Sequence, residues 1–139
     1  MSLPIDKVAA GDLAPGQSTP GMTRFEAIVL DDVWSGLVRT EPGATSGWHH
    51  HGEHDTIAYV VRGAFRVETA DGAMVQGDVG DFVHVPARTV HRESNPTSQT
   101  ADVVLVRRGT GEVVVNVDID IDDDIPERET AAQKAADQR

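Results

Sequence analysis

Four of the chain's six histidines fall in the segment Trp48-His49-His50-His51-Gly52-Glu53-His54. His49 and His51 are two residues apart. In an extended chain the side chains at i and i+2 project from the same face, so these two imidazoles can converge on one cation while His50 points the other way. Two ligands do not close a metal site, and a third has to come from a distant part of the chain. His91, in Pro86-Ala87-Arg88-Thr89-Val90-His91, is the best candidate. The chain has no cysteine, which excludes disulfide frameworks, zinc fingers and iron-sulfur clusters and leaves soft-ligand chemistry to histidine.

The elements that must carry these residues read as short strands separated by turn signals. Strands are expected over 23–30, 33–40, 46–51, 56–61, 64–69, 73–76, 82–85, 90–94, 101–108 and 112–117. Punctuation falls at Glu41-Pro42-Gly43, Arg62-Gly63, Asp71-Gly72, Gly77-Asp78, Gly80-Asp81, Asn95-Pro96 and Gly109-Thr110-Gly111. Asp71-Gly72 is the clearest hairpin turn. About ten such strands, with no long helical pattern between them, point to an all-β antiparallel sandwich or barrel in residues 22–117. Residues 1–21 read as an irregular arm that wraps over a neighbour, and residues 118–139 as an acidic tail, with a short exposed helix over 127–138.

The chain has 139 residues, enough for one domain with its own core, and no apolar run approaches the roughly 18 residues of a membrane span. No basic start followed by an apolar stretch marks a secretory signal in the first ten residues, so a cytoplasmic location is expected by default. The net charge of -11 disfavours nucleic acid as a partner, because binding phosphate backbones needs a cationic face. The tail carries a large share of that charge. Its run Asp118-Ile119-Asp120-Ile121-Asp122-Asp123-Asp124 lacks the glycine and glutamate that an EF-hand loop needs, and reads as a solvated segment.

Two separated stretches resemble the cupins, and they occur in the family's order. Gly43, His49, His51 and Gly63 fit the first cupin motif, and Gly80, Pro86, His91 and Asn95 fit the second; the inner glycine of the second motif is replaced by Arg88. The resemblance implies a cupin-type double-stranded β-helix, a jelly-roll-like antiparallel barrel with a metal inside. It also implies His49, His51 and His91 as the shared metal ligands. The family's ligand glutamate aligns with Thr56, a poor ligand, so the first shell is expected to be neutral and to favour an anionic substrate. His54 is a further candidate for the vacant ligand role.

A three-histidine site could hold iron, nickel, zinc or manganese, with coordination positions left open for substrate. Thr56 and Glu53 are candidates for orienting a proton or a bound water. Trp48, Thr56, Tyr59 and His84 are candidate pocket residues, and Arg39, Arg66 and Arg88 candidate anchors for an anion. The resemblance implies a dioxygenase-like enzyme with an iron site and a small anionic or enolisable substrate. The alternative is a non-catalytic or regulatory module that binds a small molecule around a vestigial or structural metal. Exposed sheet edges and faces suggest a homodimer.

Overall fold

The structure is a computed structural model that describes residues 3–110 and 114–118. Apart from one 3-10 turn at Ala10–Asp12, its regular elements are eleven strands. They are β1 (Ala14–Pro15), β2 (Met22–Val29), β3 (Val33–Thr40), β4 (His49–His50), β5 (Asp55–Arg62), β6 (Ala64–Thr69), β7 (Met74–Asp78), β8 (Phe82–Val85), β9 (His91–Ser94), β10 (Ala101–Arg108) and β11 (Val115–Asn116). One sheet has the order β1-β2-β3-β10-β5-β8 and the other β11-β4-β9-β6-β7, and all the pairings are antiparallel. This is the expected double-stranded β-helix.

Alternation builds the core. Along β5, Thr56, Ala58 and Val60 are buried while Ile57, Tyr59 and Val61 are exposed. Along β10, Val103, Leu105 and Arg107 are buried on one face. The inward residues Val38, Ala58, Val60, Val83, Val85, Val103 and Leu105 meet Phe65 and Val67 of the second sheet, with Met22 in the same cluster. Burial of such side chains contributes about 25 cal/mol per Å² of apolar surface removed from water. The expected strands are present, although 46–51 shortens to β4 and 112–117 to β11 among the described residues.

Within the arm, Ala14–Pro15 pairs with Phe25 and Glu26 of β2 and so extends its own sheet. The possible helix over 127–138 and most of the acidic tail lie outside the described residues.

The motif residues have local reasons to be where they are. Gly43, Gly63 and Gly80 all have positive φ, and Arg88 takes the glycine position with φ 62°, the one non-glycine residue in that region among those described. A left-handed backbone is costly for a residue with a Cβ. Asn95 is fully buried and anchors the β9–β10 loop. Its Nδ2 donates to the carbonyls of Thr40 and Gln99 (3.1 and 2.8 Å), and its Oδ1 accepts from Thr97 N (2.9 Å).

Candidate metal centre

The two halves of the site arrive on neighbouring strands of the smaller sheet. β4 and β9 meet with His49 directly opposite His91. Ser46 fixes the approach from both sides, its N–H donating to the Glu93 carbonyl (2.8 Å) and its hydroxyl accepting from Glu93 N (2.9 Å). The imidazoles of His49, His51 and His91 gather with ring centroids 4.5–5.0 Å apart, and each of these residues is at most 3 % exposed.

A fourth group joins them. Glu93 lies two residues after His91 on β9 and shares its inward face. Its Oε2 is 3.0 Å from Nε2 of His91, 3.4 Å from that of His49 and 3.7 Å from that of His51. One potential ligand atom from each of the four residues lies within 4.8 Å of the others. Metal–nitrogen and metal–oxygen bonds of about 2.1 Å place ligand atoms roughly 3–4 Å apart, so the cluster has the right size for one divalent ion.

The hydrogen bonds around the cluster test the fit further. His49 Nδ1 and His91 Nδ1 each lie 2.8 Å from a backbone carbonyl, of Gly47 and Thr89 respectively. A carbonyl only accepts, so both Nδ1 atoms carry the proton, and in the neutral rings Nε2 presents a lone pair to the cluster. At these distances the ring nitrogens and the carboxylate oxygen need positive charge among them, either protons on the rings or a bound cation. Protons could serve at acid pH, but burial lowers the pKa of His51 to about 4, which leaves it neutral at neutral pH. Burial alone would raise the carboxyl pKa of Glu93; the three imidazoles outweigh that effect and hold it well below the usual carboxylate range. His51 and Glu93 are therefore in the protonation states that a metal requires, and backbone carbonyls orient the imidazoles of His49 and His91.

This overturns the expectation of a neutral first shell. Glu93 supplies the carboxylate that Thr56 cannot, from the second motif instead of the first. The i, i+2 spacing that links His49 to His51 also links His91 to Glu93, and it was the signal available in the sequence.

The other candidates are placed as follows. His54 is buried but stands outside the cluster, with its Nδ1 3.1 Å from the His51 carbonyl. His50 faces away, its Nδ1 accepting from Gly52 N at 3.0 Å. Trp48, in the bend just before β4, is buried, with the Arg92 guanidinium 4.7 Å from its ring centroid. Tyr59 and His84 do not reach the site. Strand parity puts both on the outer face of the larger sheet, where Tyr59 packs on Phe82 (4.7 Å between centroids) and His84 meets Asp55 at 3.1 Å. Glu53 is exposed and pairs with Arg88. Arg39 pairs with Asp102 and Arg66 with Gln76, so none of the three arginines expected to anchor an anion is at the cluster. Thr56 is 2 % exposed, and its hydroxyl has no hydrogen-bond partner. A buried polar group left in that state costs about 1–3 kcal/mol.

The cluster opens to a cleft lined by Gln17, Arg24, His49, His51, Glu93, Arg107 and Val114. The free space enclosed between these residues is about 10 Å³, close to the room a single water needs. The arginines were not among the candidates. The larger concavity of the molecule is on the outer face, around Ile57, Phe82 and His84, away from the cluster.

Comparison with known proteins agrees with this architecture. Residues 36–107 match the Cupin_2 cupin domain. No curated protein matches the sequence. Among solved structures, KdgF from Halomonas sp. is similar at 25 % identity, over 77 % of this chain and 96 % of that one, with a TM-score of 0.64. A sugar phosphate isomerase of the cupin superfamily from Silicibacter pomeroyi is similar at 25 % identity, over 76 % of each chain, with a TM-score of 0.64. The polyketide cyclase RemF from Streptomyces resistomycificus shares the fold at 19 % identity, over 81 % of this chain and 85 % of that one, with a TM-score of 0.69. No helix among the described residues is long and apolar enough to cross a membrane. With matched motifs, the double-stranded β-helix and a domain match over half its length, the chain belongs to the cupin family.

Proposed function

We propose that the protein is a metal-dependent enzyme acting on a small anionic, enolisable substrate, with His49, His51, His91 and Glu93 holding the ion. Iron is the expected metal and a dioxygenase the expected type of enzyme; nickel, zinc and manganese suit the same donors. The observation that carries the reading is the convergence of acceptor atoms from four buried residues, with Nδ1 of both His49 and His91 committed to a backbone carbonyl. Such an ion supplies Lewis acidity and, as iron, reactivity toward dioxygen. The chain's own residues do the remaining work. Glu93 lowers the charge of the centre, the buried walls limit the entry of water, and the cleft is the opening through which a substrate would reach the ion. Thr56 has a hydroxyl free to orient a proton or a water.

A second reading is non-oxidative chemistry on a sugar-derived anion. It is supported by the likeness to the Silicibacter pomeroyi sugar phosphate isomerase. We place the protein in the cytoplasm, with a second copy of the chain as its partner. The exposed Ile57, Tyr59, Val61 and Phe82 on the outer face of the larger sheet would offer that copy an apolar surface.

Metal analysis of protein purified without a histidine tag should find close to one divalent ion per chain, and Glu93→Gln should retain roughly a tenth or less of the affinity for it. Anaerobic loading with Fe(II), followed by diketones, 2-oxo acids and sugar acids in air, should show oxygen uptake with at least one. Turnover without oxygen uptake would favour the second reading. If no divalent ion binds, the enzyme reading is wrong and a metal-free binding module takes its place.

A further inference from the structure

Two cations stand in the cleft beside the cluster, and its described lining offers one carboxylate, Glu93, to balance them. Arg107, the inward residue near the end of β10, is 5 % exposed, and its Nε is buried without a hydrogen-bond partner. Its guanidinium lies 5.1 Å from the Trp34 ring centroid, so one side of the group rests on an aromatic surface. Gly36 makes that support possible, because a Cβ there would collide with the Trp34 ring. Arg24 on β2 is held from the arm side. Its Nη1 donates to the Gln17 carbonyl at 3.3 Å and to Thr19 Oγ1 at 3.2 Å.

The positive charge is not neutralised by what surrounds it. Burial disfavours the Arg107 cation, Glu93 favours it, and Arg24 disfavours it again. Burial also disfavours the cation at Arg24, against the pull of Glu93. Glu93 is at the same time committed to the three imidazoles. A divalent ion at the cluster would add two further positive charges to the same small space. Buried guanidinium groups persist where they are paired, and their fork of N–H donors matches a carboxylate or phosphate better than any neutral group.

We propose that Arg107 and Arg24 form an anion subsite, which takes one acidic group of a small bifunctional oxyanion while the oxygen donors at its other end face the His49, His51, His91 and Glu93 cluster. The inference deepens the proposed function and rests on it for the second point of attachment. The acidic group is a carboxylate or a phosphate monoester, the oxyanions that a guanidinium fork matches. The arm then has a place in recognition, because Gln17 lines the cleft and its carbonyl helps to hold Arg24.

The experiment is calorimetric titration of the full chain, loaded with Zn(II), using acetate, malonate and phosphonoacetate as probes. One charge-assisted pair predicts that malonate or phosphonoacetate binds about tenfold or more tightly than acetate, and the better of the two identifies the acidic group. Arg107→Gln should abolish that advantage and leave acetate within about threefold of wild type, since acetate can use the ion alone. Arg24→Gln, at a less buried position, should reduce the advantage and provides the test if Arg107→Gln does not fold. A preference unchanged in the folded variants, or absent from wild type, would overturn the subsite. If Zn(II) does not bind, the metal reading fails separately. Malonate and phosphonoacetate binding to the zinc-free protein then decides: weakening by Arg107→Gln or Arg24→Gln supports the subsite, and no binding or no weakening refutes it.

Discussion

His91 and His84 each face a carboxylate at almost the same distance, 3.0 Å to Glu93 and 3.1 Å to Asp55, and each has an arginine in its neighbourhood. The inner group is closed off, with the His91 side chain 0 % exposed; the outer one is open, with the His84 side chain 59 % exposed. Water screens the outer trio of His84, Asp55 and Arg108, and pairs of that kind contribute about 0–1 kcal/mol. Inside, the same residue types cannot hand their charge to solvent. They must settle it among themselves or with a bound ion, and that requirement turns a common surface arrangement into a chemical site.

The comparison breaks most visibly at His91. His91→Ala removes a ligand outright. Changes to residues that merely support ligands cost about 10–100-fold in metal affinity, so this variant should lose roughly a hundredfold or more. Competition with a chelating dye would measure it, and affinity within a few-fold of wild type would show that the ion is held elsewhere.

Acid provides the next largest effect. The folded chain resists protonation of His51 between its ordinary value of 6.5 and about 4, while the unfolded chain accepts that proton, so the metal-free protein loses stability as pH falls through this window. Glu93 acts in the same direction at lower pH. Its folded carboxyl stays ionised below the ordinary 4.5 at which the unfolded chain protonates, and its contribution is lost as pH drops toward the folded value. Urea denaturation of chelator-treated protein should show stability declining by up to about 1.4 kcal/mol per pH unit below pH 6.5. A flat profile between pH 7 and 4.5 would remove the electrostatic contrast with the outer trio.

The smallest effect belongs to that trio. Asp55→Asn should leave the thermal midpoint close to that of wild type and metal affinity unaltered, as thermal denaturation and the same dye assay would report. A larger loss would mean that the outer group is more than a screened surface pair.

Strand alternation accounts for most of what was legible beforehand. The fold followed from short runs such as Ala64–Thr69 and Ala101–Arg108, whose bounds coincide with the expected ones. Three members of the cluster followed from motif spacing. The family motif does not mark Glu93, since its glutamate falls at Thr56, although the two-residue offset from His91 sets Glu93 on the same face. Arg107 follows Val103 and Leu105 at inward parity on β10, so its position was also readable. Tyr59 and His84 show the rule from the other side, since Ala58, Val60, Val83 and Val85 occupy the inward positions around them. Arg24 was harder to identify. It gains its role from a strand beside the sheet edge and the preceding arm, a tertiary arrangement that no local pattern specifies.

The shortness of β4 has one more consequence. The strand that carries His49 has two residues, meeting β9 at a single register pair and the two-residue β11 at two, whereas β10 lies between two eight-residue strands, β3 and β5. Few backbone bonds secure the ligand-bearing segment, so coordination would act there as a clasp between parts of the polypeptide some forty residues apart. Loading of the ion and local ordering of that end of the sheet would then form a single linked equilibrium, and the binding constant would include the free energy of fastening the sheet.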